Sequence, residues 1–236
     1  MPVNIGTAGW TIPRAVAEHF PSEGTSLERY ASVFPVTEIN SSFHRSHRAS
    51  TWERWRDSVP AAFRFSVKLP KTITHQGKLR DCDDLVGAFL DEAHVLGEKL
   101  AVLLVQLPPK LELDWKIAEA FFRHLSDNTH AGLACEPRNL TWFTSEAGAL
   151  LTDLAVARVA ADPAICQAAS VPGGSDGLTY YRLHGSPQIY RSSYADRIDD
   201  YAHRLSAAPG PSWCIFDNTA SSAAAADALA LLDHTR

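Results

Sequence analysis

Short apolar segments recur along the chain and alternate with segments of helical spacing. Runs rich in Val, Ile, Leu and aromatic residues, bounded by Gly, Pro, Asn or Asp, predict eight strands. These are VNIGTAGW, TEINSSF, FRFSVKLP, LAVLLVQLPP, GLACEPR, VARVAAD, TYYRLHG and WCIFDNT. Helical spacing or an alanine-rich composition predicts helices near 27–34, 51–57, 84–100, 114–125, 145–154, 194–205 and 221–233.

This alternation predicts the fold class α/β and, more narrowly, a TIM-type (β/α)8 barrel formed by one domain over residues 1–236. The sixth unit is weak, because PAICQAASVPGGSDG carries Gly and Pro where a helix would run, so we predict one weak or missing helix there. An open, doubly wound sheet is the alternative. It is disfavoured because GTAGW lacks the third glycine of a dinucleotide-binding fingerprint.

Polar residues recur two positions apart at the C-terminal ends of the predicted strands, as Glu38 and Asn40 do in EINSSFHR. Residues two apart on a strand share a face, and in TIM barrels the active site lies at this end. We therefore predict a polar pocket there. The alternative is that the charges only neutralise one another above the core. The polar strand-end residues are Glu38, Asn40, Ser66, Lys68, Gln106, Glu136, Arg138, Asp162, Arg182, His184 and Asp217.

A series of stretches in the same order resembles a known family. They are IGTAGW, EINSSFHR, FRFSVKLPKTITH, EKLAVLLVQLPP, CEPRNLTW, YYRLHG and FDNTA, and from about Ile5 to Ala220 the chain resembles the YecE-like family, known as domain of unknown function 72. The resemblance implies a TIM-type barrel and no settled activity. Pro137 stands where the family usually has an aromatic residue, and Asp217 where it usually has Asn. The added carboxylate favours either cation binding or an extra partner for Arg182.

Cations near the predicted pocket indicate an anionic ligand, because guanidinium and ammonium groups bind phosphate or carboxylate oxygens. The alternative is that the arginines pair with Glu136 and Asp217 while the loop lysines stay solvated. We also predict that the loop KTITHQGKLRDCDD orders over a bound anion. The cations are Lys68, Arg138 and Arg182 on strand ends and Lys71, Lys78 and Arg80 on that loop.

Histidines and carboxylates at the same end are candidates for acid/base catalysis, since an unperturbed histidine titrates near neutral pH. The predicted catalytic residues are His184, Glu38, Glu136 and His75. The aromatic residues Trp10, Phe43, Trp142, Tyr190 and Tyr194 end or follow the strands and could stack on a sugar or base, although packing against a helix explains Phe43 equally well. The predicted substrate-binding residues are Asn40, Lys68, Gln106, Arg138, Asp162, Arg182, Asp217, Asn218, Trp10, Trp142, Tyr190 and Tyr194.

Composition narrows the partners. The formal net charge of -5 gives no general attraction to nucleic acid or to an anionic membrane. No uncharged apolar run is long enough to span a membrane and the start shows no signal-peptide pattern, so we predict a cytoplasmic protein. The 4 cysteines are scattered without a Cys-x-x-Cys pair, which favours reduced thiols over a zinc or redox motif.

These patterns together predict an enzyme, a hydrolase, isomerase or lyase, that acts on a phosphorylated or other anionic small molecule by acid/base chemistry. One alternative is a nucleic-acid-directed, metal-dependent phosphodiesterase resembling the endonuclease-IV-like barrels. A non-enzymatic ligand-binding protein is the other. No cofactor is predicted, and a divalent metal ion belongs to the phosphodiesterase alternative, which the nearby cations disfavour.

Overall fold

A computed structural model describes residues 3–235 as a mixed α/β barrel. The strands run in the order β7-β9-β10-β1-β2-β3-β4-β5-β6-β8, and every neighbouring pair is parallel except β6 and β8. The strands are β1 (Val3–Ala8), β2 (Val36–Ile39), β3 (Arg64–Lys68), β4 (Leu100–Gln106), β5 (Gly132–Glu136), β6 (Val156–Arg158), β7 (Ala160–Asp162), β8 (Gly173–Gly174), β9 (Thr179–Leu183) and β10 (Ser212–Phe216).

The sixth predicted strand is interrupted, and its two halves bring the barrel to near closure. β6 pairs with β5, whereas β7 pairs with β9. Only Val159 separates the halves, and its backbone N–H donates to the carbonyl of Cys135 at 2.8 Å. With β6 and β7 taken as one strand, and the two-residue antiparallel β8 left aside, the barrel has the eight parallel strands that the sequence predicts.

Helices follow most strands, and three of the seven within residues 3–235 begin at a residue whose side chain caps the first turn. Thr25 forms a capping box with Glu28, and the side chains of Asp114 and Thr144 accept the first-turn N–H groups of their helices. Within residues 3–235, no helix is long and apolar enough to cross a membrane. The helices are α1 (Ser26–Ala31), α2 (Ala49–Asp57), α3 (Asp83–Ala93), α4 (Trp115–Asp127), α5 (Ser145–Asp153), α6 (Ile198–Ser206) and α7 (Ala224–His234).

The helix predicted over 84–100 ends early, whereas the sixth unit matches its prediction. The helix predicted over 84–100 ends at Ala93 and continues as a 3-10 turn, His94–Lys99, in which Gly97 has a φ of 57°. Glycine adopts that left-handed conformation without steric cost, so the chain can leave the helix there. Between β7 and β9 the structure describes a 3-10 turn, Gln167–Ser170, and no α-helix, which agrees with the weak sixth unit.

Alternation along the strands separates an apolar floor from a polar top inside the barrel. Leu104 lies inside with the apolar group, and Gln106, two residues on, shares its face at the C-terminal end of β4. Tyr180 and Arg182 follow the same pattern on β9. The predicted polar end therefore rests on a packed apolar floor. That floor consists of Val36, Val102, Leu104, Ala134, Val159, Tyr180, Trp213 and Ile215.

Part of the IGTAGW stretch is explained by strand packing. A Cβ on Gly6 would lie 2.1 Å from the carbonyl oxygen of Val36, so only glycine allows β1 and β2 to approach this closely. The Tyr30 hydroxyl donates to that carbonyl at 3.1 Å and accepts the N–H of Thr7 at 2.8 Å. Burial raises the pKa of Tyr30 to about 12, so the hydroxyl keeps the proton that it donates.

Candidate functional site

A buried network of ion pairs occupies the centre of the polar top. Arg182, on β9, is fully buried. Its Nε and Nη2 donate to the two oxygens of Glu38 at 3.0 and 2.7 Å, and its Nη1 donates to Glu136 at 2.5 Å. Nη2 also donates to Asp217 at 3.1 Å. One guanidinium group thus joins carboxylates from β2, β5 and the end of β10. We call these residues the deep network.

Mutual attraction keeps the deep network ionised. Burial by itself would lower the pKa of Arg182, but the carboxylates of Glu38, Glu136 and Asp217 hold that pKa well above its ordinary value. Burial likewise opposes ionisation of Glu136, yet Arg182 and neighbouring cations keep the pKa of its carboxyl well below the ordinary value. Below them, the Tyr180 hydroxyl donates to Glu38 at 3.0 Å. Arg182 and Glu136 are therefore held in their charged forms.

His184, just beyond the end of β9, is held between two carboxylates. Its Nδ1 lies 3.0 Å from Asp217 and its Nε2 lies 2.9 Å from Glu136. An ionised carboxylate only accepts hydrogen bonds, so both ring nitrogens must carry protons to make both bonds. Burial opposes this charge, but Glu136 and Asp217 outweigh it and raise the pKa of His184. The two carboxylates therefore favour the imidazolium form of His184, whose N–H groups both point at protein acceptors.

Two cations above the deep network keep unused hydrogen-bond donors. Arg138 donates from Nε and Nη2 to Glu136 at 3.2 and 2.7 Å, and its Nη2 lies 3.2 Å from Nε2 of His184. Within residues 3–235, the Nη1 of Arg138 and the Nζ of Lys68 make no hydrogen bond. The Lys68 ammonium lies over the ring of Phe43, 4.1 Å from its centroid. We call Lys68 and Arg138 the mouth cations.

The two mouth cations differ in their solvent contact. The side chain of Arg138 is 27% exposed, whereas Lys68 is nearly buried. Burial, and then the positive charge of Arg182, lower the pKa of Lys68 to about 8. An anion that entered the barrel mouth could therefore accept hydrogen bonds from the Nη1 of Arg138 and the Nζ of Lys68, neither of which donates to an acceptor in the described part of the chain.

Three further predicted residues reach the same end of the barrel. Gln106 donates from Nε2 to Glu136 at 3.0 Å. The Oδ1 of Asn40 is buried and has no hydrogen-bond partner among the described residues. His75 lies beside Phe43, with ring centroids 4.9 Å apart, and its Nδ1 is 2.9 Å from the Thr74 hydroxyl. Burial, then Lys68 and Arg138, lower the pKa of His75, which favours the neutral imidazole.

Among the aromatic residues predicted to bind substrate, Tyr190 contacts His184. Tyr190 is exposed and its ring meets that of His184 edge-on, with centroids 6.0 Å apart. Trp10 is half-buried and packs edge-on against Trp55 at 5.3 Å, which gives it a packing role next to the first strand. Tyr190 is thus the aromatic side chain placed to touch a ligand above His184.

Asp162 and Asn218 do not enter the barrel, contrary to the prediction. Asp162 shares the outer face of β7 with Ala160, where it accepts from Arg197 at 2.7 Å and from Tyr201 at 2.6 Å. Asn218 adjoins inward-facing Asp217 and points the opposite way, donating to Asp227 on α7. Adjacent residues along an extended chain face opposite sides, so neither can share the face predicted for it.

Trp142 and Tyr194 were predicted to contact ligand because they lie in loops, and both are buried instead. The indole N–H of Trp142 donates to the carbonyl of Leu111 at 3.0 Å. The Tyr194 hydroxyl donates to the carbonyl of Asp162 and accepts the N–H of Gly185, each at 2.8 Å. Both side chains tie loops to the barrel, because a large aromatic ring with one polar atom is suited to packing under a loop.

Two groups of predicted anion-binding cations also require correction. Arg182 is wholly enclosed by carboxylates, so it holds those groups in place and does not face a ligand. On the loop after β3, Lys78 and Arg80 line a separate surface groove with Trp115. Arg80 pairs there with Asp114 at 3.1 Å. Only the part of this loop around His75 adjoins the mouth cations.

Sequence reasoning did not single out Tyr180 as part of the site, and it left open whether Phe43 contacts a ligand or packs against a helix. Tyr180 stands two residues before Arg182 in TYYRLHG, so strand alternation alone places it on the inward face. Phe43 follows β2 in a 3-10 turn, Ser41–Phe43, and no alternation signal gives the direction of such a turn. Within residues 3–235, no group of three or more His, Cys, Asp and Glu side chains is arranged to hold a metal ion.

Comparison with known sequences finds relatives without a stated activity. The family model described as "Protein of unknown function DUF72" matches residues 4–236. The UPF0759 protein YecE of Escherichia coli (strain K12) is 37% identical over 106 residues, 45% of this chain and 38% of YecE. The UPF0759 protein YunF of Bacillus subtilis (strain 168) is 27% identical over 150 residues, 60% of this chain and 52% of YunF. The matched region spans about half or less of these curated relatives.

Solved structures of similar shape agree with the barrel. A DUF72 family protein from Enterococcus faecalis V583 superposes with a TM-score of 0.80 at 19% identity, covering 99% of this chain and 95% of that chain. A DUF72 family protein from Thermotoga maritima MSB8 superposes with a TM-score of 0.79 at 20% identity, covering 98% of both chains. At such identities the likeness shows the fold alone, and the predicted TIM-type barrel is confirmed.

Proposed function

The chain belongs to the DUF72 family, and from the geometry of its barrel mouth we propose that it is an enzyme acting on a phosphorylated or other anionic small molecule by acid/base chemistry. One observation carries the proposal: Lys68 and Arg138 keep donors free beside the imidazolium of His184. Hydrogen bonds between charged groups are among the stronger polar contacts in proteins, and both donors lack a protein acceptor. A phosphate or carboxylate group would supply the missing oxygens.

In this proposal the two histidines have opposite roles. Glu136 and Asp217 favour the charged form of His184, so it would donate a proton to the substrate once one of its N–H groups leaves its carboxylate. His75 is neutral because burial and the mouth cations lower its pKa, so it would accept one. Groups whose pKa values are driven apart within one site form the usual acid and base pair. Arg182 positions the carboxylates and takes no direct part.

Binding of inorganic phosphate and pyrophosphate, measured by calorimetric titration, tests the anion site. Lys68→Met and Arg138→Met should each weaken binding roughly tenfold or more, because each removes a charge-assisted hydrogen bond worth about 1.5–3 kcal/mol. Lys116→Met is the matched control, since this exposed lysine lies on α4 away from the network. Equal affinities in the wild type and both mouth variants would rule the site out.

Turnover is tested separately from binding. A panel of sugar phosphates and phosphorylated or carboxylated aldehydes and ketones is incubated with the protein and followed by ³¹P and ¹H NMR. His184→Gln should leave phosphate affinity within about threefold, while any turnover falls by the roughly 10²–10⁴-fold typical of a lost acid/base group. Anion binding without turnover of any compound would favour the non-enzymatic ligand-binding alternative.

A nucleic-acid-directed function is the second candidate, and one surface feature favours it. The groove between the loops after β3 and β4 is lined by four cations, two carboxylates and the exposed ring of Trp115; the charged residues are Lys78, Arg80, Lys110, Lys116, Glu112 and Asp114, of which Arg80 and Asp114 pair with each other. Lysines beside an exposed aromatic ring suit a single-stranded phosphodiester backbone whose bases stack. A metal-dependent version is less favoured, because the carboxylates at the barrel mouth already bind Arg182 and His184.

Fluorescence anisotropy with a labelled single-stranded oligonucleotide tests this candidate. Trp115→Ala should cost about 1–3 kcal/mol of binding if bases stack on the ring. Lys116→Met should weaken binding and reduce its salt dependence, whereas Lys68→Met should leave both unchanged. Absence of binding at low salt would remove this candidate and leave the small-molecule site as the working function.

A further inference from the structure

The charges around Lys68 already balance without it. Facing it are Glu38 from β2, Glu136 from β5, Arg182 from β9 and Asp217 after β10, with His75 on its own loop. Three carboxylates in this group are matched by Arg182, Arg138 and the His184 imidazolium through the ion pairs described above. A protonated Lys68 is therefore a surplus positive charge in a nearly buried position.

The amine of Lys68 is also held away from protein acceptors. No carboxylate among the described residues lies within 4.0 Å of its Nζ, which lies over the π face of Phe43 at 4.1 Å from the ring centroid. This contact by itself favours the charged ammonium, and burial opposes it and prevails. A lysine kept for structure usually donates to backbone or carboxylate oxygens, as Lys99 does to the carbonyls of Arg56 and Val59 at 2.5 and 2.7 Å. The free, desolvated Nζ of Lys68 is arranged as a nucleophile would be.

We propose that Lys68 forms a Schiff base with the substrate, which makes the substrate an aldehyde or ketone that carries a phosphate or carboxylate group. This inference rests on the proposed function for the place where the anionic group binds, beside Arg138. It adds the bond that forms and the chemical class of the reacting carbon. The reaction classes of hydrolase, isomerase and lyase then narrow to isomerisation or cleavage next to a carbonyl.

The chemistry balances with groups present at the mouth. The neutral amine of Lys68 adds its electron pair to the carbonyl carbon, the C=O π bond breaks, and a proton passes from the new ammonium nitrogen to the carbonyl oxygen, giving a carbinolamine. A second proton reaches that hydroxyl from His184, water leaves, and the nitrogen electron pair forms the C=N bond of a protonated imine. His75, neutral and close to Phe43, is placed to remove a proton from the carbon next to the imine, which stabilises the resulting electron pair.

The lowered pKa of Lys68, about 8, agrees with this arrangement. Near pH 7 a useful fraction of Lys68 is then the neutral amine, while an exposed lysine with an ordinary pKa is almost wholly protonated. Phe43 restricts water at the amine, and the network below it gives a rigid support. Geometry, charge balance and protonation state thus point to the same atom.

Reductive trapping tests the inference. The protein is incubated with glyoxylate and sodium cyanoborohydride, and the carboxymethylated lysines are mapped by peptide mass spectrometry. At pH 7, Lys68 should be labelled roughly tenfold or more faster than exposed Lys110, because far more of it is neutral amine. Labelling of Lys68 should rise as pH passes about 8 and then level off.

Lys68→Arg keeps the charge and separates the two roles of this position. It should retain phosphate binding and lose the preferential label, and phosphate should slow labelling of Lys68 in the wild type. If phosphate binds but Lys68 reacts no faster than Lys110, the Schiff-base inference fails and the proposed anion site stands. If Lys68 is labelled first but phosphate neither binds nor competes, the nucleophile is supported and the proposed anion site fails.

Discussion

The deep network and the mouth cations each contain an arginine, but the hydrogen-bond donors of the two arginines are used differently. Every nitrogen of the Arg182 guanidinium donates to a carboxylate, and none of its surface reaches solvent. Lys68 is the last residue of β3 and Arg138 lies two residues beyond the end of β5. Each keeps a hydrogen-bond donor without an acceptor among the described residues. For binding an anion, the arginine whose donors are all satisfied stabilises the barrel, and the arginine and lysine that each keep a free donor are the ones available to a ligand. Residue type and strand position alone do not separate these two roles.

Removing the central cation should have the largest effect. Arg182→Leu leaves three buried carboxylates without their shared partner, and losing one member of a buried ion-pair network costs about 3–5 kcal/mol of unfolding free energy. Urea unfolding measures this, with Arg123→Leu as the control. Arg123 forms an exposed i,i+4 pair with Glu119, so its loss should cost about 0.5 kcal/mol or less. A stable Arg182→Leu protein that has lost phosphate affinity would reverse the assignment of Arg182.

His184, which contacts both the deep network and Arg138, should make the free energy of unfolding depend on pH. Its folded pKa is raised from 6.5, so its contribution is complete below about pH 6.5 and is lost as pH rises through the folded pKa. Glu136 and Asp217 have lowered folded pKa values, so their contributions are lost only as the solution becomes acidic. We expect His184→Gln to cost about 1.5–3 kcal/mol at pH 6, because two hydrogen bonds to charged groups change.

Urea unfolding of the wild type and His184→Gln across pH 5 to 9 provides the measurement. The difference between the two proteins should be greatest near pH 6 and should shrink toward the alkaline end. His203→Gln, at the C-terminal end of α6, serves as a control for general effects of losing an imidazole. A difference that grew with pH would mean that His184 is neutral in the folded protein.

The smallest effect should come from Asp162, whose carboxylate lies on the outer face of β7. Asp162→Asn keeps the shape of the side chain but weakens its charge-assisted bonds from Arg197 and Tyr201, which should cost about 1 kcal/mol. Phosphate affinity should stay within about twofold, since Asp162 faces α6 and not the barrel interior. A large loss of phosphate affinity would place Asp162 with the ligand, against the alternation of β7.

Strand alternation accounts for how much of this arrangement the sequence could predict. Residues two apart, such as Glu136 with Arg138 and Arg182 with His184, do meet inside the barrel as their spacing requires. Val159 faces the barrel interior, and Asp162 lies three residues after it, so the same rule would have placed Asp162 on the outer face. The interruption of the sixth strand hid that parity, because its two halves are only three residues each.

Loop residues could not be placed by the same means. Trp142 and Tyr194 follow strands, and a loop position suggested exposure, but a long-range contact decides the burial of each ring. The Tyr194 hydroxyl joins the end of β7 to the turn after His184, residues that are distant along the chain. The carboxylates that accept hydrogen bonds from Arg182 also come from three separate strands. Only the folded barrel therefore reveals which arginine keeps a donor free for a ligand.

The contact between Glu38 and Arg182 spans 144 residues of chain, which has a kinetic consequence. Closing so long a loop is slow and entropically unfavourable, so this pair forms only once β2 and β9 both stand in the barrel. Interactions made after the transition state hardly affect the folding rate but oppose unfolding. Loss of the pair should then shorten the lifetime of the native barrel and leave its rate of formation almost unchanged.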